Sequence, residues 1–279
     1  MDNDDLLIIA GKGRYPRLLL DGARKAGVGR IGVLAFRGQT SRSLCAAADF
    51  SARFGVGEVG RMKDWILSTG VKNVVLAGQI SPAALFTTRF DPVSRGILAK
   101  LGAKCAHSIF GAVLEYLSGF GLRVLPASSY MDDCIPQAGV LTRRAPDARE
   151  EADMARGHAA AMAVGVVDVG QTVVVKDGMV LAVEAFEGTN AAIKRGCRLG
   201  GRGAVVVKVA RDGHDMRFDI PVVGKETMRR LVRSKASALA FQAGRAILLD
   251  REEVIREADR HGIAVVALDS GLPPAPLRP

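Results

Sequence analysis

The first half of the chain alternates short apolar runs with longer amphipathic ones. Residues 6–10, 31–36 and 71–77 are almost continuously apolar, and each is followed by a glycine or a polar residue. Runs of that length, closed by turn formers, predict buried strands. Residues 50–56 and 122–126 add two further short candidates. Between them, residues 16–26, 62–68, 95–101 and 109–120 carry apolar positions at helical spacing. Gly27 and Gly29 stop the first helix, and a polar loop rich in Ser and Arg follows the second strand. Strands followed by helices of this kind predict right-handed βαβ units and a parallel, Rossmann-like sheet.

The pattern loses its period at residues 132–144, where turn formers, acids and Pro136 cluster. Pro146 then precedes a long helix over 147–164. Residues 171–176 and 180–186 are two β-rich runs joined by Asp177-Gly178, a strong hairpin signal. A helix over 191–198, a Val-rich strand over 204–210, a basic helix over 225–234 and two short strands within 236–249 come next. A helix over 252–261 and a closing strand over 263–268 complete the pattern. The fold class expected is therefore α/β: an N-terminal Rossmann-like parallel-sheet domain over 1–134 and a C-terminal mixed α/β domain over 135–270. Residues 271–279 hold four of the 11 prolines and are expected to form a disordered tail.

Composition narrows the function. With 279 residues the chain is about two domains' worth at about 150 residues each. No apolar run reaches the roughly 18 residues needed to span a bilayer. The acidic start, MDNDDLLIIAGKG, does not read as a secretory leader. A cytoplasmic protein is expected. Net charge is +10, spread over both halves, and aromatics make up only 5%. A nucleic-acid binder concentrates its charge and offers rings for stacking, so no nucleic acid is expected as a partner. An anionic substrate or an anionic membrane face suits the surplus better. Cys45, Cys105, Cys134 and Cys197 are too scattered for a zinc site and read as small buried hydrophobes.

Three stretches carry candidate chemistry. Gly11-Lys12-Gly13 follows the first strand, where bare backbone and a helix start favour a phosphate. The third glycine of a dinucleotide fingerprint is replaced by Pro16, and Phe36-Arg37 supplies no acid after the second strand, which argues against a nicotinamide site. A tight structural turn is the alternative. Second, Glu184 and Glu187 precede Gly188 and Thr189 at a helix start, an arrangement suited to a metal-assisted phosphate site; Thr189 as a simple N-cap is the alternative. Third, Lys208 ends a strand, and Asp215, Arg217 and Asp219 alternate along what reads as an extended segment, sharing one face.

The strings GQTVVVKDGMVLAVEAFEGTNAAIKR at 170–195, VVKVARDGHDMRFDIPVVG at 206–224 and LTRRAPD at 141–147 resemble the UDP-2,3-diacylglucosamine pyrophosphatase family of the LpxI type. IIAGKGRYP at the start and VVLAGQISP at 74–82 fit it more loosely. The resemblance implies a two-domain enzyme with its active site in the cleft between the domains. It would split UDP-2,3-diacylglucosamine into UMP and 2,3-diacylglucosamine 1-phosphate with the help of Mg²⁺. It further implies that Asp219 and Glu187 are catalytic and metal-binding. Gly11, Lys12, Gly13, Lys176, Gly188, Thr189, Lys208 and Arg217 would contact substrate. Asn190, Gln79 and the Ala106-His107 pair depart from the family pattern. Leu85-Phe86 with Ile97-Leu98 is the candidate groove for acyl chains. Peripheral contact with the inner-membrane surface is expected, and a homodimer is compatible with the class. The alternative is a non-catalytic protein that binds a nucleotide sugar or a lipid.

Overall fold

The computed structural model describes residues 5–81, 88–101, 106–167, 169–210, 215–218 and 220–269. The expected disordered tail lies outside the described residues. The chain divides into two compact units. One is Met1–Asp132 with Asp215–Asp219, and the other is Asp133–His214 with Ile220–Pro279.

In the first unit five strands pair in parallel: β1 (Leu6–Ala10), β2 (Ile31–Phe36), β3 (Phe50–Phe54), β4 (Asn73–Ala77) and β5 (Arg123–Val124). Their order is β3-β2-β1-β4-β5, so the chain reverses direction across the sheet between β1 and β4. In open parallel sheets the loops at that reversal form the ligand-binding crevice. β1 and β2 are buried throughout, which is why they read as unbroken apolar runs. The helices are α1 (Tyr15–Lys25), α2 (Arg42–Ala47), α3 (Val59–Thr69), α4 (Pro92–Ala99) and α5 (Ala106–Ser118). α1 turns Leu19, Leu20 and Ala23 inward while Arg17 and Asp21 pair one turn apart on the outside. α2 lies where a polar loop was expected. Ser41 starts it by accepting a hydrogen bond from the Leu44 amide at 3.2 Å, so a capping side chain takes the place of an apolar stripe. Of the proposed acyl groove, Leu85 and Phe86 lie outside the described residues, and Ile97 packs on the core of this unit.

The second unit holds a six-stranded mixed sheet. Its strands are β6 (Gly139–Val140), β7 (Thr172–Lys176), β8 (Met179–Val183), β9 (Val205–Lys208), β11 (Ala238–Gln242) and β13 (Ala264–Leu268), in the order β6-β13-β11-β9-β7-β8. Two further strands, β10 (Val222–Val223) and β12 (Ile247–Leu248), pair with each other. The helices are α6 (Ala148–Gly165), α7 (Thr189–Gly200), α8 (Lys225–Arg233) and α9 (Arg251–Arg260). Alternation along the strands sorts the core into two layers. Val173, Val175, Val205 and Val207 meet Met154 and Ala161 of α6. Val174, Val206, Leu239 and Phe241 meet Ile193 and Cys197 of α7 with Met228 and Leu231 of α8. Cys197 fits the expectation of a small buried hydrophobe, and burial pushes its thiol up to about 11. Cys45 and Cys134 are only half-buried, so that expectation does not hold for them.

The helix start at residue 147 is built as a capping box, with the Asp147 carboxylate accepting from the Glu150 amide and Glu150 accepting in return. The Asp177-Gly178 hairpin is present, and buried Asp153 of α6 accepts from both turn amides, at 3.0 and 2.7 Å.

Residues 215–218 correct the sequence reading. They form a turn, not an extended ion-pair row. Asp215 takes the Arg217 amide at 3.0 Å and its guanidinium at 2.9 and 2.6 Å, closing the loop on itself. The turn rests on the first unit: the Met216 carbonyl accepts from the Ala127 amide at 2.9 Å, and the Phe218 ring lies 6.3 Å from that of Phe110 in α5.

Candidate active site

In the first unit the candidate residues form a closure made of backbone. The Gly11 amide donates to the Ala77 carbonyl at 2.8 Å, and Lys12 and Gln79 exchange amide–carbonyl hydrogen bonds at 2.8 and 3.1 Å. These are the loops after β1 and β4, at the reversal point of the sheet. A Cβ on Gly11 would lie 2.4 Å from the Gln79 carbonyl oxygen, so only glycine permits the approach. Thr40 joins from the loop after β2, accepting from the Phe36 amide at 2.9 Å and donating to the Ala10 carbonyl. Gln39 accepts from the Ser81 amide at 3.3 Å. Lys12, Gly13 and Arg14 stand exposed beyond this closure, at the start of α1. The missing third glycine is explained locally, because Pro16 lies buried in the first turn of α1 and packs toward Gly78.

In the second unit the site is made of side chains. Strand register sets Thr172 opposite Lys208, and the Glu184 amide donates to the Thr172 carbonyl at 2.8 Å. Glu184, just past β8, thus forms a row with Thr172 of β7 and Lys208 of β9, on the face that α7 covers. Thr189, the first residue of α7, lies over the row. Its hydroxyl donates to Glu184 Oε1 at 2.8 Å and accepts from Lys208 Nζ at 3.0 Å. Lys208 is 8% exposed. Glu184 Oε2, Thr172 Oγ1 and Asn190 Oδ1 are buried without a hydrogen-bond partner among the described residues. Three unmatched oxygens around one buried ammonium and one helix start mark the region as polar by design. Gly188, with φ of 81°, caps α7, so Thr189 is not the cap that the alternative reading supposed.

Other expected contributors sit elsewhere. Lys176 Nζ donates to the Gly200 carbonyl at 2.7 Å, at the opposite end of α7. Glu187 is held by Arg195 at 2.6 Å, which, with backbone amides, keeps its carboxyl below the usual range. Arg217 is paired bidentately with Asp215 in the other unit, and that pairing raises its already high pKa. Asp219 lies outside the described residues. Sequence reasoning missed His158 and Gln242. Buried Gln242 accepts from the Ala210 amide at 2.8 Å and meets the His158 ring nitrogen at 3.4 Å. This fixes the backbone where it leaves β9.

The described residues do not form a cage for a divalent ion. Among the described residues no three His, Cys, Asp or Glu side chains gather as metal ligands. Glu187 faces Arg195, and Glu184 shares Thr189 with the Lys208 ammonium, beside which a second cation is disfavoured. The geometry instead suits an anion: a buried amine, a hydroxyl and a helix N-terminus converge.

The LpxI N-terminal domain matches residues 5–134 and the LpxI C-terminal domain matches residues 137–266. A protein of Caulobacter vibrioides, UDP-2,3-diacylglucosamine pyrophosphatase LpxI, is 29% identical over 273 residues, covering 94% of this chain and 96% of that one. Among solved structures, the biotin carboxylase domain of a thermophilic 2-oxoglutarate carboxylase reaches a TM-score of 0.29 at 9% identity, over 61% of this chain and 34% of that one. Biotin carboxylase of Campylobacter jejuni reaches 0.28 at 10% identity, over 70% and 41%. Likenesses that weak carry no argument. Matched in order by the two domains over nearly all its length, the chain belongs to the LpxI family.

Proposed function

We propose that this protein hydrolyses the pyrophosphate bond of UDP-2,3-diacylglucosamine, releasing UMP and 2,3-diacylglucosamine 1-phosphate, a step in lipid A biosynthesis. The observation that carries the proposal is kinship over almost the whole chain with a pyrophosphatase of that specificity. The chemistry of the second unit supports it. A pyrophosphate diester bears two negative charges, and Lys208 with Thr189 at the start of α7 offers them a buried positive charge and a donor. Lys208 has three donors and spends one on Thr189.

The roles of individual residues follow from where each side chain is held. Lys208, Thr189 and Gly188 are the phosphate contacts we favour. Gly11, Lys12 and Gly13 offer backbone and a surface cation to an anionic group. Lys176 and Arg217 are spent on Gly200 and Asp215, and Glu187 on Arg195, so we assign these three to the scaffold of their own units. Asp219 is our choice for orienting the attacking water. Mg²⁺ would arrive largely on the substrate's own phosphate oxygens, since this ion keeps few protein ligands, and its chemistry would be charge neutralisation. We place the reaction in the cytoplasm at the inner-membrane surface. No helix among the described residues is long and apolar enough to cross a membrane.

The test is direct. Purified protein is incubated with UDP-2,3-diacylglucosamine, with and without Mg²⁺ and with a chelator, and UMP is followed over time. Repeated turnover is expected, and Asp219→Ala is expected to abolish it while the protein stays folded. Stoichiometric binding without UMP release would favour the non-catalytic alternative and defeat the proposal.

A further inference from the structure

Seven of the ten large apolar side chains exposed among the described residues come from residues 166–199. They gather on one border of the second unit. β8 is an edge strand and carries Met179, 63% exposed, and Val180. Phe186, 71% exposed, follows it on the way to α7, and Leu199, 62% exposed, lies near the end of α7. Contact of Gly200 with Leu181 seats that end of the helix on β8. At the other end Gly170 lies against Glu184, which brings the segment of Val166, Val167 and Val169 beside the one carrying Phe186.

The same border is cationic. α7 turns Ala192, Ile193, Gly196 and Cys197 inward and leaves Lys194, Arg195, Arg198 and Leu199 on its outer stripe. With 12 residues the helix runs about 18 Å at 1.5 Å per residue, so basic and apolar groups share one elongated surface. Such a mixture matches the boundary of an anionic bilayer, where apolar groups enter and basic groups meet headgroups. A second copy of this chain fits less well. A symmetric pairing through this border would bring its basic stripe onto the same basic stripe of the other copy.

We propose that the β8–α7 border is the surface by which the protein docks on an anionic lipid bilayer. Phe186 and Met179 enter the interface, and Lys194 and Arg198 face the phospholipid headgroups. Phe186 lies two residues before Gly188, so the docking surface runs into the polar row at Thr189 and Lys208. Vesicle binding is measured without substrate, so the inference stands or falls apart from the hydrolytic reading.

The full chain is mixed with vesicles of phosphatidylcholine, alone or with phosphatidylglycerol, and bound protein is separated by flotation. Binding is expected only with phosphatidylglycerol and should weaken with salt. The pair Lys194→Glu and Arg198→Glu should lower binding about tenfold. The pair Phe186→Ser and Met179→Ser should lower it about tenfold while leaving the salt dependence in place. All four positions are exposed; thermal melts confirm folding, and each pair stands as a test without the other. Undiminished vesicle binding in either folded pair overturns the proposal. So does a fall in oligomeric mass by sedimentation equilibrium in these variants, which would assign the border to a second copy.

Discussion

The two candidate regions are built by opposite means. In the first unit the loops after β1 and β4 are locked by amides and carbonyls, with glycine at the point of closest approach. In the second, Glu184, Thr189 and Lys208 meet through side chains, on a sheet whose β7–β8 pairing shifts register between Val174 and Val175. The first therefore cannot be altered without disturbing the fold, whereas the second can be edited atom by atom. Each offers an anion something different: the first a fixed turn at the start of a helix, the second a buried positive charge.

Substitutions should break this contrast in a set order. Gly11→Ala should act as a folding mutation, costing about 3 kcal/mol because the new methyl meets a carbonyl oxygen of a strand-end loop; urea unfolding would read it. Lys208→Met should cost less, about 2 kcal/mol, yet lower kcat/KM at least a hundredfold, roughly the worth of a donor to developing charge. If the melting point fell and turnover did not, Lys208 would be a structural lysine only. Thr189→Val removes one hydroxyl that bridges two charged groups. It should cost about 1 kcal/mol and weaken substrate binding about tenfold. Arg195→Gln should be nearly silent in stability, within about 0.5 kcal/mol, because the pair with Glu187 is largely exposed.

Acid offers a subtler comparison. Burial alone would raise the Glu150 carboxyl, but hydrogen bonds from Arg144, Ser237 and the Asp147 amide outweigh it and hold the group below the ordinary range. A carboxyl lowered on folding stabilises the protein above its unfolded pKa, and that contribution fades as pH falls through the folded one. Glu150→Gln should thus flatten the acid limb of stability for the second unit. Asp5, lowered by Arg30 against the same effect of burial, does the same for the first, so Asp5→Asn should flatten the acid limb in the same way.

Much of this architecture was readable in advance, for identifiable reasons. β1 and β2 announce themselves because strands buried on both faces are apolar throughout, β4 follows them after a polar start at Asn73, and the Asp177-Gly178 turn admits few alternatives. α2 escaped because a serine cap, not periodicity, starts it. β6 escaped because two residues show no period. The turn at 215–218 mimicked a strand, since charges two apart suggest a shared face, while Asp215 in fact folds back on Arg217. Of the site, the glycines of the first loop and the Glu184–Thr189 string were visible. The row itself was not, because Thr172, Glu184 and Lys208 become neighbours only through the register of three strands.

The return of residues 215–218 to the first unit has a practical corollary. A gene cut after residue 132 would yield an amino-terminal half with the Ala127 amide and the Phe110 ring deprived of Met216 and Phe218. Complementation by two separately expressed halves should then fail unless the carboxy-terminal piece is present while the first one matures. The two units share one thread, passed back and forth, and inherit or lose it together.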